Sequence, residues 1–127
     1  MNLTLSVLPG RYAICRLRPA DPVPSWAGAG DFVSVTRTGE ELSIVCAETG
    51  VPAGVDCERG WRCLKVAGPL DLSLTGVLAS LAGPLAEARL SVFAVSTFDT
   101  DYLLVKETHL PSVVDVLTRS GHRLDNL

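Results

Sequence analysis

Five polar side chains crowd into one turn of this sequence: Ser96, Thr97, Asp99, Thr100 and Asp101, with Phe98 among them, inside the stretch SVFAVSTFDTDYLLV from Ser91 to Val105. Hydroxyls donate and accept hydrogen bonds and carboxylates accept several, so such a cluster suits recognition of a small polar ligand. A structural alternative stands beside it, because Asp, Ser and Thr also make good turns by bonding nearby backbone. The first flanking arm alternates small or polar with apolar residues and the second is almost wholly apolar. The stretch therefore reads as two buried strands meeting at a polar tip, which would hold the tip's groups still on a rigid scaffold.

Elsewhere the chemistry is sparse. The four cysteines, Cys15, Cys46, Cys57 and Cys63, form no CxxC pair, and neither histidine, His109 or His122, lies at metal-finger spacing from them. Cys15, Cys46 and Cys63 sit in apolar or alternating runs, where a reduced thiol packs as a small core residue. Cys57, in the polar segment VDCERG, is the candidate for reactivity. No GxSxG or P-loop pattern frames a nucleophile or a phosphate, so no catalytic residue is assigned. Asp99-x-Asp101 supplies too few oxygens for a hard cation, so neither a metal nor a cofactor is expected.

Composition narrows the partners. A net charge of -3 with the signs mixed along the chain offers no basic stripe for nucleic acid. No apolar run approaches the roughly 20 residues a membrane helix needs, and the N-terminus is a poor signal peptide, its apolar stretch being interrupted by Pro9-Gly10. A cytoplasmic protein follows as the expectation. With 127 residues, 47% of them hydrophobic and 20% charged, the chain suits one compact domain or two small packed ones.

The elements that must position the polar tip can be read in order. Residues 3–8 and 11–17 are apolar-rich strands either side of Pro9-Gly10. Pro19, Pro22, Pro24, Gly28 and Gly30 leave room only for a short helical turn around Ser25 to Ala27, with Trp26 anchoring it. FVSVTR and LSIVCA alternate around Thr38-Gly39-Glu40-Glu41 as a hairpin. After an irregular stretch, WRCLKV (61–66) reads as a strand, and Ala67-Gly68-Pro69 turns the chain. Leu74, Val77, Leu78 and Leu81 then trace a helical stripe, with Asp71 or Ser73 as N-cap and a break or kink at Gly83-Pro84. A last helix is expected around Leu110, Val113, Val114 and Leu117, with Pro111 in its first turn and Gly121 at its end. The tail HRLDNL forms a brief edge strand or frays.

An internal repeat emerges when the chain is slid over itself by 60 positions, which lays Val35 on Val95, Thr36 on Ser96, Glu41 on Asp101 and Val45 on Val105. Each hairpin is preceded by a helical segment and, before that, by a strand with an aromatic and a Cys, YAICRL or WRCLKV. The fold expected is α+β, two packed ferredoxin-like units of βαββαβ type, the first with reduced helical content. The modules are residues 1–60 and 61–127, with residues 3–8 available to pair with the second.

The segment GPLDLSLTGVLASLAGPLAEARLSVFAVSTFDTDYLLV resembles an ACT domain of the small tandem-ACT proteins, and is similar to the CASTOR arginine sensors and the regulatory ACT domains of aspartate kinases. FVSVTRTGEELSIVC resembles the first module of such proteins. The resemblance implies a non-catalytic, regulatory protein that binds a small molecule, an amino acid, at an ACT–ACT interface. It also implies a homodimer or larger homo-oligomer and a separate regulated protein. An interaction or assembly module with a vestigial ligand site is the alternative. Carried over residue by residue, the site comprises Gly68, Asp71, Gly76, Val77 and the tip residues Ser96, Thr97, Phe98, Asp99, Thr100 and Asp101, with Thr36 to Glu41 of the first module as a further wall. A helix N-terminus can receive a ligand carboxylate and Asp101 a ligand ammonium. Gly76 serves equally well for close helix packing, and Asp71 as a cap.

Overall fold

A computed structural model describes residues 1–127, which fold as two compact units, one of Met1–Leu8 with Arg62–Leu127 and one of Pro9–Trp61. Eight strands and two α-helices appear in the order β1 (Thr4–Val7), β2 (Tyr12–Leu17), β3 (Ser34–Arg37), β4 (Leu42–Ala47), β5 (Cys57–Val66), α1 (Val77–Glu87), β6 (Phe93–Ser96), β7 (Asp101–Lys106), α2 (Leu110–Arg119) and β8 (Arg123–Asp125). The fold is α+β, as expected.

In the unit that carries the polar tip, the C-terminal half of β5 and the elements after it run β–α–β–β–α–β. The sheet order is β8-β1-β5-β7-β6. β1 is antiparallel to β5, with Leu5 opposite Val66, and parallel to β8, with Leu5 opposite Leu124. The tail supplies the fourth strand of this unit as β8, and β1 is inserted between β8 and β5. Period-2 alternation puts Leu5 and Val7, Leu64 and Val66, and Leu103 and Val105 on one face of the sheet. That face is covered by Leu81 and Leu85 of α1 and Val113 and Leu117 of α2, each pair spaced i, i+4, and together these residues form one core.

The helix α1 departs from its expected bounds twice. It starts at Val77, not near Leu74, because Gly76 takes a left-handed φ of 81° that only glycine adopts cheaply, and no side chain caps the helix. It also continues through Gly83 and Pro84 to Glu87 without a break. Pro84 has no N–H for the carbonyl of Ser80, four residues earlier, and that carbonyl is bonded instead by the ring of His122, with Nε2 3.1 Å away. Because Nδ1 of the same ring accepts the N–H of Leu3 at 3.1 Å, Nε2 carries the proton and donates it to Ser80. α2 matches its expected span, with Pro111 in the first turn and Gly121, φ 97°, beyond its end.

The other unit contains β2, β3, β4 and the N-terminal half of β5, in the order β3-β4-β2-β5. Its helical content is reduced to 3-10 turns at Ser25–Gly28 and Glu48–Gly50. Ala13, Cys15, Ala27, Leu42, Ile44, Cys46 and Val51 form its core, with Trp26 packed against it. β5 begins earlier than the WRCLKV pattern indicates, so Cys57 lies in a strand, opposite Cys15, and not in a loop.

The two hairpins are equivalent, but their offset is 59 and not 60. Ser34 pairs with Val45 as Phe93 pairs with Leu104, and the turns close with Thr38 N–H to Glu41 C=O at 2.9 Å and Thr97 N–H to Thr100 C=O at 2.8 Å. Val35 therefore corresponds to Ala94, not Val95. A one-residue slip in a strand exchanges the two faces, which is why side-chain likeness alone misplaced the register.

Candidate functional site

Two chain segments meet at the end of the first-described sheet. One leaves β5 at Val66, turns through Gly68 and Pro69, and reaches the start of α1; the other is the tip between β6 and β7, closed by the opposed pair Ser96 and Asp101. Two bonds join them into one body. Thr100, 4% exposed, donates its Oγ1 hydrogen to the Val66 carbonyl at 2.7 Å. Leu70 N–H donates to the Asp99 carbonyl at 2.6 Å. Within the tip, Thr97 donates both its N–H and its Oγ1 hydrogen to the Thr100 carbonyl, at 2.8 and 3.0 Å. Gly68 permits the approach, since a Cβ there would lie 3.1 Å from both the Asp99 carbonyl oxygen and the Thr100 Cβ.

Between the segments lies an open cleft of about 320 Å³. One wall is the tip, Ser96 through Asp101. The other is Asp71 and the first turn of α1, with Gly76, Val77, Leu78 and Ala79. Of the ten residues assigned from sequence, all but Gly68 line this cleft, and Gly68 lies against Asp99 and Thr100 of the tip. Thr36 to Glu41, the end of β3 and the turn before β4 in the other unit, are not in the lining.

Sequence reasoning overlooked the apolar part of the lining, Leu70, Leu72, Leu74 and Leu78. A search weighted toward polar groups passes over leucines, and Leu74 had been assigned to the helix stripe. The available signal was the spacing of Leu70, Leu72 and Leu74 through a segment rich in turn residues. Leu72 is 69% exposed, Leu74 47% and Phe98 79%, so the rim of the cleft is apolar and unburied.

The electrostatics have two parts. No side chain caps α1, and its first intrahelical bond runs from Ser80 N–H to Gly76 C=O, leaving the N–H groups of Val77, Leu78 and Ala79 ahead of the ladder, at the positive end of the helix dipole. The lining also carries three carboxylates, Asp71 on the helix wall and Asp99 and Asp101 on the tip, and no basic side chain. Asp71 is not the cap of α1. It caps its own turn, accepting Ser73 N–H at 2.9 Å and Ser73 Oγ–H at 2.8 Å, and these bonds, the backbone one first, hold its carboxyl below the usual range. The N–H groups at the helix start suit an anionic group and the tip carboxylates a cationic one.

The bond from Thr100 to Val66 can be tested directly. Thr100→Val keeps the shape and removes the donor, leaving a buried carbonyl short of a partner. A loss of about 1–2 kcal/mol in urea unfolding is the expected outcome, and an unchanged midpoint would show that the bond does not hold the tip.

Comparison with known proteins identifies the family of this fold. The family model described as "ACT domain" matches residues 56–119, and a second model, described only as an N-terminal domain, matches residues 10–54. The human protein "Cytosolic arginine sensor for mTORC1 subunit 1" is 43% identical over 60 residues, 46% of this chain but 18% of that protein, so this chain spans a small part of its relative. A crystal structure of a protein from Agobacterium tumefaciens superposes with a TM-score of 0.93 at 42% identity, covering 98% of this chain and 92% of the other. Aspartate kinase from Clostridium acetobutylicum shares the fold, with a TM-score of 0.69 at 6% identity over 94% of this chain and 35% of the enzyme. By its family model, its βαββαβ unit and these likenesses, the chain belongs to the ACT domain family.

Proposed function

We propose that this chain is a non-catalytic regulatory protein that binds a free amino acid in the cleft between α1 and the β6–β7 tip, with a second ACT domain covering the rim. The observation that carries the reading is the opposition, across one small cleft, of an uncapped helix N-terminus and an acidic hairpin tip. The N–H groups of Val77, Leu78 and Ala79 suit an α-carboxylate. Asp101, beside Asp99, suits an α-ammonium through charge-assisted hydrogen bonds. A free amino acid carries both groups on one carbon. The resemblance to a protein named as an arginine sensor supports this class of ligand. In this reading the chain works in the cytoplasm as a homodimer, and its output is a separate regulated protein.

Thermal unfolding in the presence of each standard amino acid tests the proposal. A ligand at a hundred times its Kd adds about 2.7 kcal/mol and raises Tm by several degrees in a chain of this size. Asp101→Ala is expected to weaken that ligand roughly 10- to 100-fold, the loss of a hydrogen bond to a charged group. Absence of a shift with every amino acid at millimolar concentration would reject the ligand class, and a shift indifferent to Asp101→Ala would reject the residue's role.

The exposed apolar rim favours one second reading, an assembly module whose ligand site is vestigial. It requires a dimer that persists on dilution, is broken by Phe98→Asp, and shows no response to amino acids; light scattering with the thermal screen distinguishes the two.

A further inference from the structure

The unit from Pro9 to Trp61 holds a feature that ligand binding does not use: three of the four cysteines lie together. Cys15 on β2 and Cys57 on β5 are directly opposed in the antiparallel ladder. They occupy a non-hydrogen-bonded position, since the neighbouring backbone bond runs from Arg16 N–H to Asp56 C=O at 2.9 Å. Cys46 on β4 is paired with Ala13, so it stands diagonally from Cys15. The Cys46 and Cys57 sulfurs are thus the nearest thiols to Cys15 across its two neighbouring strands. All the cysteines are free thiols, Cys15 and Cys46 buried and Cys57 half-buried. No group of three or more His, Cys, Asp or Glu side chains is arranged to hold a metal ion.

Ladder geometry selects one pair. Opposed residues at a non-hydrogen-bonded position have Cα atoms about 4.5 Å apart, inside the roughly 4.4–6.8 Å span of disulfides. Diagonal neighbours lie about 7–8 Å apart, outside it. We propose that Cys15 and Cys57 are a peroxide-responsive thiol pair that closes to a reversible intramolecular disulfide, with Cys57 as the sulfur that oxidant reaches first.

The steps balance. The Cys57 thiolate attacks one oxygen of hydrogen peroxide, the O–O bond breaks, and hydroxide leaves, giving a sulfenic acid. The Cys15 sulfur then attacks the Cys57 sulfur, the S–O bond breaks, and the hydroxyl departs with the Cys15 proton as water. Two thiols are oxidised by two electrons and one peroxide is reduced. Burial, with the adjacent Cys46 and Cys57 sulfurs, pushes the Cys15 thiol up to about 12, so Cys15 does not compete as the entry thiolate and gives up its proton only to the departing hydroxyl as the S–S bond forms. A dithiol reductant reverses the bond by exchange. Closure joins the start of β5 to β2 and encloses β3 and β4 in the covalent loop, which restricts the unfolded chain and raises the unfolding temperature.

The test uses the full chain treated with hydrogen peroxide, followed by intact-mass measurement and non-reducing peptide mapping. The expected result is loss of two hydrogens, a linked peptide containing Cys15 and Cys57, and a higher Tm that returns to its starting value with dithiothreitol. Cys57→Ser, a change at a half-buried site, should give neither the link nor the rise in Tm. The proposal is overturned by a Cys15–Cys46 link, by a sulfinic acid on Cys57 with Cys15 still alkylatable, or by resistance of the folded chain at a peroxide dose that oxidises the urea-unfolded chain.

Discussion

His122→Leu is expected to lower stability by about 3 kcal/mol, because it leaves two part-buried polar groups without partners, each worth about 1–3 kcal/mol. The imidazole is 4% exposed and accepts from the N–H of Leu3 while donating to the carbonyl of Ser80. Leu fills similar space but bonds neither. For a chain of this size the loss corresponds to a fall in Tm of roughly 10 °C. A second substitution makes the cause specific. Pro84→Ala supplies an N–H to the Ser80 carbonyl, so it should recover about 1 kcal/mol in the His122→Leu background, the worth of one intramolecular hydrogen bond. In the parent chain the histidine already occupies that carbonyl, and Pro84→Ala should change little. Equal effects of Pro84→Ala in both backgrounds, measured by urea unfolding, would show that His122 does not serve the carbonyl that proline frees.

Leu81→Ala is expected to cost about 3–4 kcal/mol, in the range for a fully buried leucine whose cavity cannot collapse. Leu81 has no exposed surface and sits in the core formed with the sheet and α2. Leu78, one turn-face away on the same helix, is only half-buried and lines the cleft. Leu78→Ala should therefore cost about 1 kcal/mol, since little apolar area returns to water. The pair separates the helix's two duties. Leu81 docks α1 against the sheet, and that docking aims the helix N-terminus along the cleft. An unchanged urea m-value would confirm that Leu81→Ala weakens the native state without breaking the cooperative transition. A cost below that of Leu78→Ala would mean that α1 is not held by this residue.

Both predictions depend on features that patterning conveys unevenly. Alternation in LSIVCA and WRCLKV, the Pro111 start of α2 and the polar tip were all legible, because side-chain period and turn chemistry are local properties. The bounds of α1 were not. The stripe of Leu74, Val77, Leu78 and Leu81 has helical spacing, yet Leu74 lies outside the helix and 47% exposed, since the backbone of Gly76 ends the helix there. Gly83-Pro84 carried a strong local signal for a break, overruled by His122, which supplies the missing bond to the Ser80 carbonyl, 42 residues from it in sequence. The repeat was visible and its register was off by one, because likeness of side chains does not report ladder pairing.

The candidate site divides the same way. Sequence by itself determined the α+β class, the repeated hairpin, and the tip residues Ser96 to Asp101, whose clustering needs no partner to be seen. Only the tertiary structure decided that Asp71 caps its own turn, that Gly68 lies against the tip, that leucines form the rim, and that Cys57 faces Cys15 across a ladder. The physical reason is range: turns and periodicity are set by neighbours a few residues apart, whereas a cleft is set by which distant segments approach, here through Thr100 to Val66 and Asp99 to Leu70. The polar turn is thus one wall of a cleft whose other wall is the start of α1.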